Sequence, residues 1–176
     1  NALLSEDNFT SVSVSKNDIA VILHTSGTQA STKGVLHSHQ GFNSRLYEAE
    51  KVLNVFKPHP EYIHLEARAL SHMGGISKAI AILSCAGTIL IMGKFDAQKM
   101  VELIDHYKII SLSAVPSMLA LVYQFVEFKK FDLSCVEVIK LGSSHLDRNL
   151  LEKVKKIFPG AQQNIFNNYG STETGP

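Results

Sequence analysis

Short apolar runs alternate with longer amphipathic stretches along most of this chain, and few architectures accept that alternation. "IAVIL" (19–23), "YIHLEA" (62–67), "TILIM" (88–92), "IISLSAV" (109–115), "VEVIKLG" (136–142) and "NIFNNYG" (164–170) read as strands. "IAVIL" has the unbroken apolar character of a buried strand. Between them lie helical patterns. "QGFNSRLYEAEKVLNVF" sets Phe42, Leu46, Ala49, Val52 and Leu53 on one stripe, and Pro58 and Pro60 stop it. "GGISKAIAILSCAG" is an apolar helix with Gly87 as its expected stop. Asp96 is placed to cap "AQKMVELIDHY", where Met100, Leu103, Ile104 and Tyr107 share a face. Pro116 suits the first turn of "PSMLALVYQFVEF", and Asp147 can cap "RNLLEKVKKIF". The expectation is an α/β fold, a mostly parallel sheet with helices on both faces. Residues 1–17 are Ser- and Asn-rich and read as a loose lead-in, with at most an edge strand in "TSVSV". Residues 18–176 read as the structured part.

In parallel sheets ligands bind at the carboxyl ends of strands. Three polar clusters fall there: "HTSGT" after "IAVIL", "LGSSH" after "VEVIK" and "NNYGSTETG" after "NIF". Hydroxyls and glycines from Thr25 to Ser31, followed by Lys33 and Gly34, make either a polar turn or a loop that points donors at an anion. The Walker spacing fails, because Lys33 follows Thr32 and precedes Gly34. "YGSTETG" adds an aromatic face at Tyr169, a hydroxyl at Thr172 and a carboxylate at Glu173, suited to base stacking, a phosphate contact and a magnesium ligand.

Composition removes other classes. A net charge of +1 does not fit a protein built to coat nucleic acid. No apolar run nears the ~20 residues of a membrane helix. Cys85 and Cys135 form no metal or disulfide pattern and read as small buried hydrophobes. His37 and His39 read as surface or capping residues; His59, His64, His106 and His145 read as surface or packing residues. Lys153–Lys156 reads as a solvated helix face.

Four segments, in order, resemble the adenylate-forming superfamily of acyl-CoA synthetase type. "TSGTQASTKGV" resembles its TSGTTGxPKG phosphate loop, and "NNYGSTETG" its YGxTE motif. "ALSHMGGI" resembles PLFHxxGL, and "LGSSHL" stands where GGAxL is common. The similarity runs from about Asp18 to Pro176, and the YGxTE form leans toward acyl-CoA ligases.

The resemblance implies part of an enzyme's large domain, one that joins a fatty or aryl carboxylic acid to ATP as an acyl-adenylate and passes the acyl group to coenzyme A. It implies Thr25, Ser26, Gly27, Thr28 and Lys33 over the phosphates, with Thr28, Lys33 and Glu173 in the catalytic set. Asn168, Tyr169, Gly170, Ser171 and Thr172 would hold the nucleotide, with Tyr169 stacked on adenine and Thr172 at the α-phosphate. Glu173 would hold magnesium. Gly142, Ser143 and Ser144 would wall the space between adenine and acyl group, and His72 would line the acyl entrance. It also implies a cytoplasmic enzyme of fatty acid metabolism. Ala30, Thr32 and Ser143 depart from the family's Gly, Pro and Gly. The family's N-terminal subdomain, its ribose-binding aspartate and its C-terminal domain with the adenylation lysine have no counterpart in these 176 residues. The chain therefore reads as a central fragment, inactive alone and completed by the remainder of its own enzyme. The alternative is a nucleotide-binding or interaction module that kept the fold without the chemistry.

Overall fold

The computed structural model describes residues 11–25, 33–44, 61–84 and 86–173. Its centre is a five-stranded, all-parallel sheet. The strands are β3 (Ile63–Glu66), β4 (Thr88–Ile91), β5 (Ser111–Ala114), β6 (Val138–Leu141) and β7 (Ile165–Asn167), in the order β4-β3-β5-β6-β7. β5 and β6 are buried throughout, whereas the edge strands β4 and β7 are not. The chain leaves β3 for β4, then passes back to β5 on the other side of β3. The winding direction therefore reverses between β3 and β5, the place where such sheets open a crevice.

Helices cover both faces, as the alternation predicted. α3 (Ala97–Tyr107), α4 (Pro116–Phe125) and α5 (Arg148–Ile157) pack on one face around Leu65, Met100, Ile104, Leu112, Leu119, Ile139, Val154 and Phe158. α2 (Met73–Ser84) takes the other face, where Ile82 meets Tyr62 and Val138. The local signals work as expected. The Asp96 carboxylate accepts from the Lys99 amide at 2.8 Å, the Asp147 carboxylate accepts from the Leu150 amide at 2.9 Å, and Pro116 opens α4.

Four readings need correction. "IAVIL" lies in β1 (Ile19–Thr25), outside the parallel sheet, paired antiparallel with β2 (Lys33–Ser38). One face of this hairpin packs on α2, through Leu23, Phe42, Met73 and Ile76, while Ile19 and Ile22 are exposed. A two-stranded ribbon shelters one face only, so it is not the buried strand expected. β2 itself was not anticipated, because "KGVLHS" opens on Lys-Gly, a poor strand signal. Ser11–Val14 form no strand. After α2 the left-handed residue is Ala86 (φ 58°), one before Gly87, whose amide donates to the Ile82 carbonyl at 3.0 Å. Ser38 caps the helical residues 39–44 (α1), its hydroxyl accepting from the Gly41 amide at 3.2 Å.

Candidate functional site

The carboxyl ends of β3, β5, β6 and β7 open into one cavity of about 1280 Å³, walled on the far side by α2. Arg68 and Ala69 enter it beyond β3, Val115 beyond β5, Gly142 and Ser143 beyond β6, and Asn167 to Glu173 beyond β7. The pairing runs one residue past the strand ends: the Ala67 amide donates to the Ser113 carbonyl at 3.0 Å. The Asn168 amide still donates to the Leu141 carbonyl at 2.8 Å, tying the β7 loop to the β6 turn.

The predicted residues gather here in large part. His72, Gly142, Ser143, Asn168, Tyr169, Gly170, Ser171, Thr172 and Glu173 line the cavity. Ser144 is exposed and is not among the lining residues. Ser143 is held at φ 68°, a left-handed backbone where glycine is at ease and serine is strained. Tyr169 is 97% exposed, its ring presented to the opening. Glu173 is held below the usual carboxylate range, first by its own backbone amide, then by the Ser171 hydroxyl, and also by the charge of Lys33. Thr25 and Lys33 are cross-strand partners at the end of the hairpin where the chain passes from β1 to β2. Ser26, Gly27 and Thr28, with Ala30 and Thr32, lie outside the described residues.

Sequence reading missed the wall beneath. On the α2 face, β3 presents His64 and Glu66, β5 presents Ser111 and Ser113, and β6 presents Lys140, all buried. The register lays Glu66, Ser113, Lys140 and Phe166 side by side across four strands. Arg68 clasps Glu66 through Nε to Oε1 at 2.8 Å and Nη2 to Oε2 at 2.9 Å, and also donates to the Gly74 carbonyl at 3.0 Å. Burial works to raise the Glu66 carboxyl, but hydrogen bonds from Arg68 and His64 prevail and hold it low. His64 Nδ1 lies 2.8 Å from the Ser111 hydroxyl, and burial pulls its pKa down to about 4, leaving a neutral ring. Lys78 of α2 and Lys140 share a side-chain hydrogen bond, and burial lowers both, Lys140 to about 6. The signal was present as period-two alternation in "IHLE" and "SLSA", but only the register shows that these polar positions share a face with Lys140.

Gly75 is fixed by sterics: a Cβ there would stand 2.5 Å from the Ala69 carbonyl oxygen. The loop carrying Arg68 and His72 thus folds tightly onto the start of α2.

Among the described residues there is no group of three or more His, Cys, Asp or Glu able to hold a metal ion by itself, and no helix long and apolar enough to cross a membrane.

The family described as AMP-binding enzyme matches residues 2–176. Among curated relatives, 4-coumarate–CoA ligase 1 of Arabidopsis thaliana is 29% identical over 170 residues, covering 94% of this chain and 30% of the relative. 4-Coumarate–CoA ligase 1 of Petroselinum crispum is 31% identical over 179 residues, covering 97% and 31%. Among solved structures, O-succinylbenzoate coenzyme A synthetase (MenE) from Bacillus subtilis, in complex with AMP, superposes with a TM-score of 0.72 at 23% identity over 91% of this chain and 31% of that one. The chain thus spans about 30% of the length of the curated relatives it matches.

Proposed function

This chain belongs to the AMP-binding enzyme family, and from that premise we propose that the protein carrying it is an ATP-dependent acid–coenzyme A ligase. One oxygen of a fatty or aryl carboxylate attacks the α-phosphorus of ATP, and pyrophosphate leaves. A thiolate, that of coenzyme A, then attacks the acyl carbon, and AMP leaves with the oxygen. The observation that carries this reading is the Asn168–Glu173 loop, which brings an exposed aromatic ring, two hydroxyls and an ionised carboxylate to the strand-end cavity.

Each role follows from the chemistry of the groups. The Tyr169 ring offers a flat apolar face to a base. The Thr172 hydroxyl offers a donor near where charge develops on the α-phosphate, and the Gly142–Ser143 backbone walls the space between base and acyl group. Lys33, with Thr25 beside it and Ser26, Gly27 and Thr28 after it, supplies donors and a cation for the outer phosphates. His72, at the mouth of α2, lines the acid's approach. Glu173 fits magnesium: it is an ionised oxygen ligand, and this metal usually takes one or two carboxylates together with phosphate oxygens and water. Magnesium would neutralise phosphate charge there when bound.

By the family resemblance, and in keeping with relatives about three times this length, the same protein carries an N-terminal subdomain and a C-terminal domain that bears the adenylation lysine and closes the site. ATP and coenzyme A as co-substrates fit a cytoplasmic enzyme of fatty or aryl acid metabolism. The test is ATP–pyrophosphate exchange by the full-length protein with a panel of acids. Glu173→Ala and Thr172→Ala should each lower exchange by about a hundred- to a thousand-fold, as loss of one positioned charge-stabilising group does elsewhere. Nucleotide binding without exchange by the full-length wild type would replace this reading with that of a non-catalytic nucleotide-binding module.

A further inference from the structure

The clasp between Arg68 and Glu66 uses only part of the guanidinium. That group carries five N–H donors in a fixed plane. The Nε donor and one donor of Nη2 go to the two Glu66 oxygens, at 2.8 and 2.9 Å, and the other donor of Nη2 goes to the Gly74 carbonyl at 3.0 Å. The two donors of Nη1 have no hydrogen-bond partner among the described residues. Their direction is nonetheless set, because the other three donors hold the plane. The side chain is 17% exposed and lines the strand-end cavity.

Two glycines leave room around Nη1. A Cβ at Gly74 would stand 2.7 Å from it, so the first turn of α2 admits the guanidinium only because no side chain is there. A Cβ at Gly142 would stand 3.8 Å from Nη1 and 3.5 Å from the Asn168 carbonyl oxygen. Gly142 thus lies between Nη1 and the loop that carries Tyr169 and Thr172. His72 lines the same cavity, two residues before Gly74.

We propose that Nη1 of Arg68 holds the reacting carboxylate of the acid substrate; this rests on the acyl-activating reading above. The reacting carboxylate must lie beside the α-phosphate, and Nη1 is one glycine away from the loop assigned to the nucleotide. With Glu66 balancing the guanidinium charge, two free N–H donors suit a singly charged carboxylate better than a triphosphate. One carboxylate oxygen accepts from Nη1, and the other is left to attack phosphorus. The held oxygen becomes the carbonyl oxygen of the acyl-adenylate. It takes up negative charge when the thiolate adds to the acyl carbon, and returns it when AMP leaves with the other oxygen. A charged donor strengthens the bond, and one already fixed by three others needs no reorganisation at either step. Glu66 is then a positioning residue that aims the guanidinium.

The experiment uses the full-length protein and the probe acids 4-coumarate, benzoate, hexanoate and palmitate in ATP–pyrophosphate exchange. Arg68→Lys keeps a charge beside Glu66 but has no Nη1. Gly74→Ala keeps every charge and displaces Nη1, the end of a flexible side chain that can yield without unfolding the protein. Unfolding midpoints check that each variant is folded. The expected result in both is an acid KM raised about ten- to a hundred-fold, with the ATP KM within about twofold of wild type, as loss of one hydrogen bond to a charged group implies. Thioester formation from a chemically prepared acyl-adenylate and coenzyme A should slow by a similar factor. An unmoved acid KM in folded Gly74→Ala overturns the proposal and leaves Arg68 as a clasp for Glu66 alone. A rise in the ATP KM in place of the acid KM overturns it too, assigning Nη1 to phosphate, and so does an unchanged rate of thioester formation. All three leave the ligase reading standing. Absence of exchange by the wild type with every probe acid overturns both.

Discussion

The two faces of the central sheet are built from the same strands and do opposite work. Toward α3, α4 and α5, β3, β5 and β6 send Leu65, Leu112, Ala114, Ile139 and Leu141 into a dry core. Toward α2, the alternate residues of the same strands are His64, Glu66, Ser111, Ser113 and Lys140. Four-residue strands serve both ends because side chains alternate with a strict period of two. The lesson is that burial and stabilisation are separate matters. Both faces are equally hidden, but one is paid in apolar area and the other holds charge in place at a cost.

That contrast can be broken most directly at Glu66. Glu66→Ala removes the carboxylate that the buried end of Arg68 clasps, and a loss of about 3–5 kcal/mol is expected in denaturant unfolding. A loss below about 1 kcal/mol would mean that the polar face is solvated and unlike the dry one only in composition. On the dry face Ile104→Ala should cost about 2–5 kcal/mol, through lost burial and the cavity left behind, and its effect should not change with pH. Lys140→Met sharpens the comparison because its sign is reversed. Burial favours the neutral amine while the unfolded chain holds it charged, so removing the amine should stabilise the protein near neutral pH, read as a higher unfolding midpoint. A destabilised Lys140→Met variant would make the lysine a structural tie.

The pH dependence separates the faces further. Lys140 has its folded pKa lowered from 10.5 to about 6, so the unfolded chain binds more protons throughout that window. Stability should therefore fall as pH drops from about 10.5 toward 6, and Lys140→Met should flatten that slope. His64, lowered from 6.5 to about 4, continues the decline below pH 6.5. Smallest in effect are the helix caps behind the dry face. Asp96→Ala and Asp147→Ala should each cost about 1 kcal/mol, and midpoints unmoved by both would show that packing alone fixes α3 and α5.

What the sequence disclosed follows the same division. Signals that act within a few residues were legible: the Asp96 and Asp147 caps, Pro116 at the start of α4, the apolar runs of β5 and β6. The Tyr169–Glu173 loop was legible because its residue types are unusual together and follow a strand. The α2-side wall was not, since Glu66, Ser113 and Lys140 lie far apart in the chain and meet only through strand order and register. His64 read as a surface or packing residue and is a packing one, but its place on that wall was hidden for the same reason. β2 was hidden because its pairing with β1, not its own composition, makes it a strand. Ser143 was legible as a departure from the family's glycine, but its left-handed backbone is a fact of the fold alone.

The placement of β3 between β4 and β5 also sets an order of events as the chain is made. β3 leaves the ribosome first among the five strands, yet both of its neighbours are encoded later. Ser111 and Ser113 follow only after α2, β4 and α3 have been synthesised, which at roughly 5–20 residues per second takes seconds. Through that interval His64 and Glu66 stand in water as ordinary side chains. Nascent β3 is thus a strand with open edges, and the Glu66 charge opposes its pairing with a neighbouring nascent chain before β5 arrives.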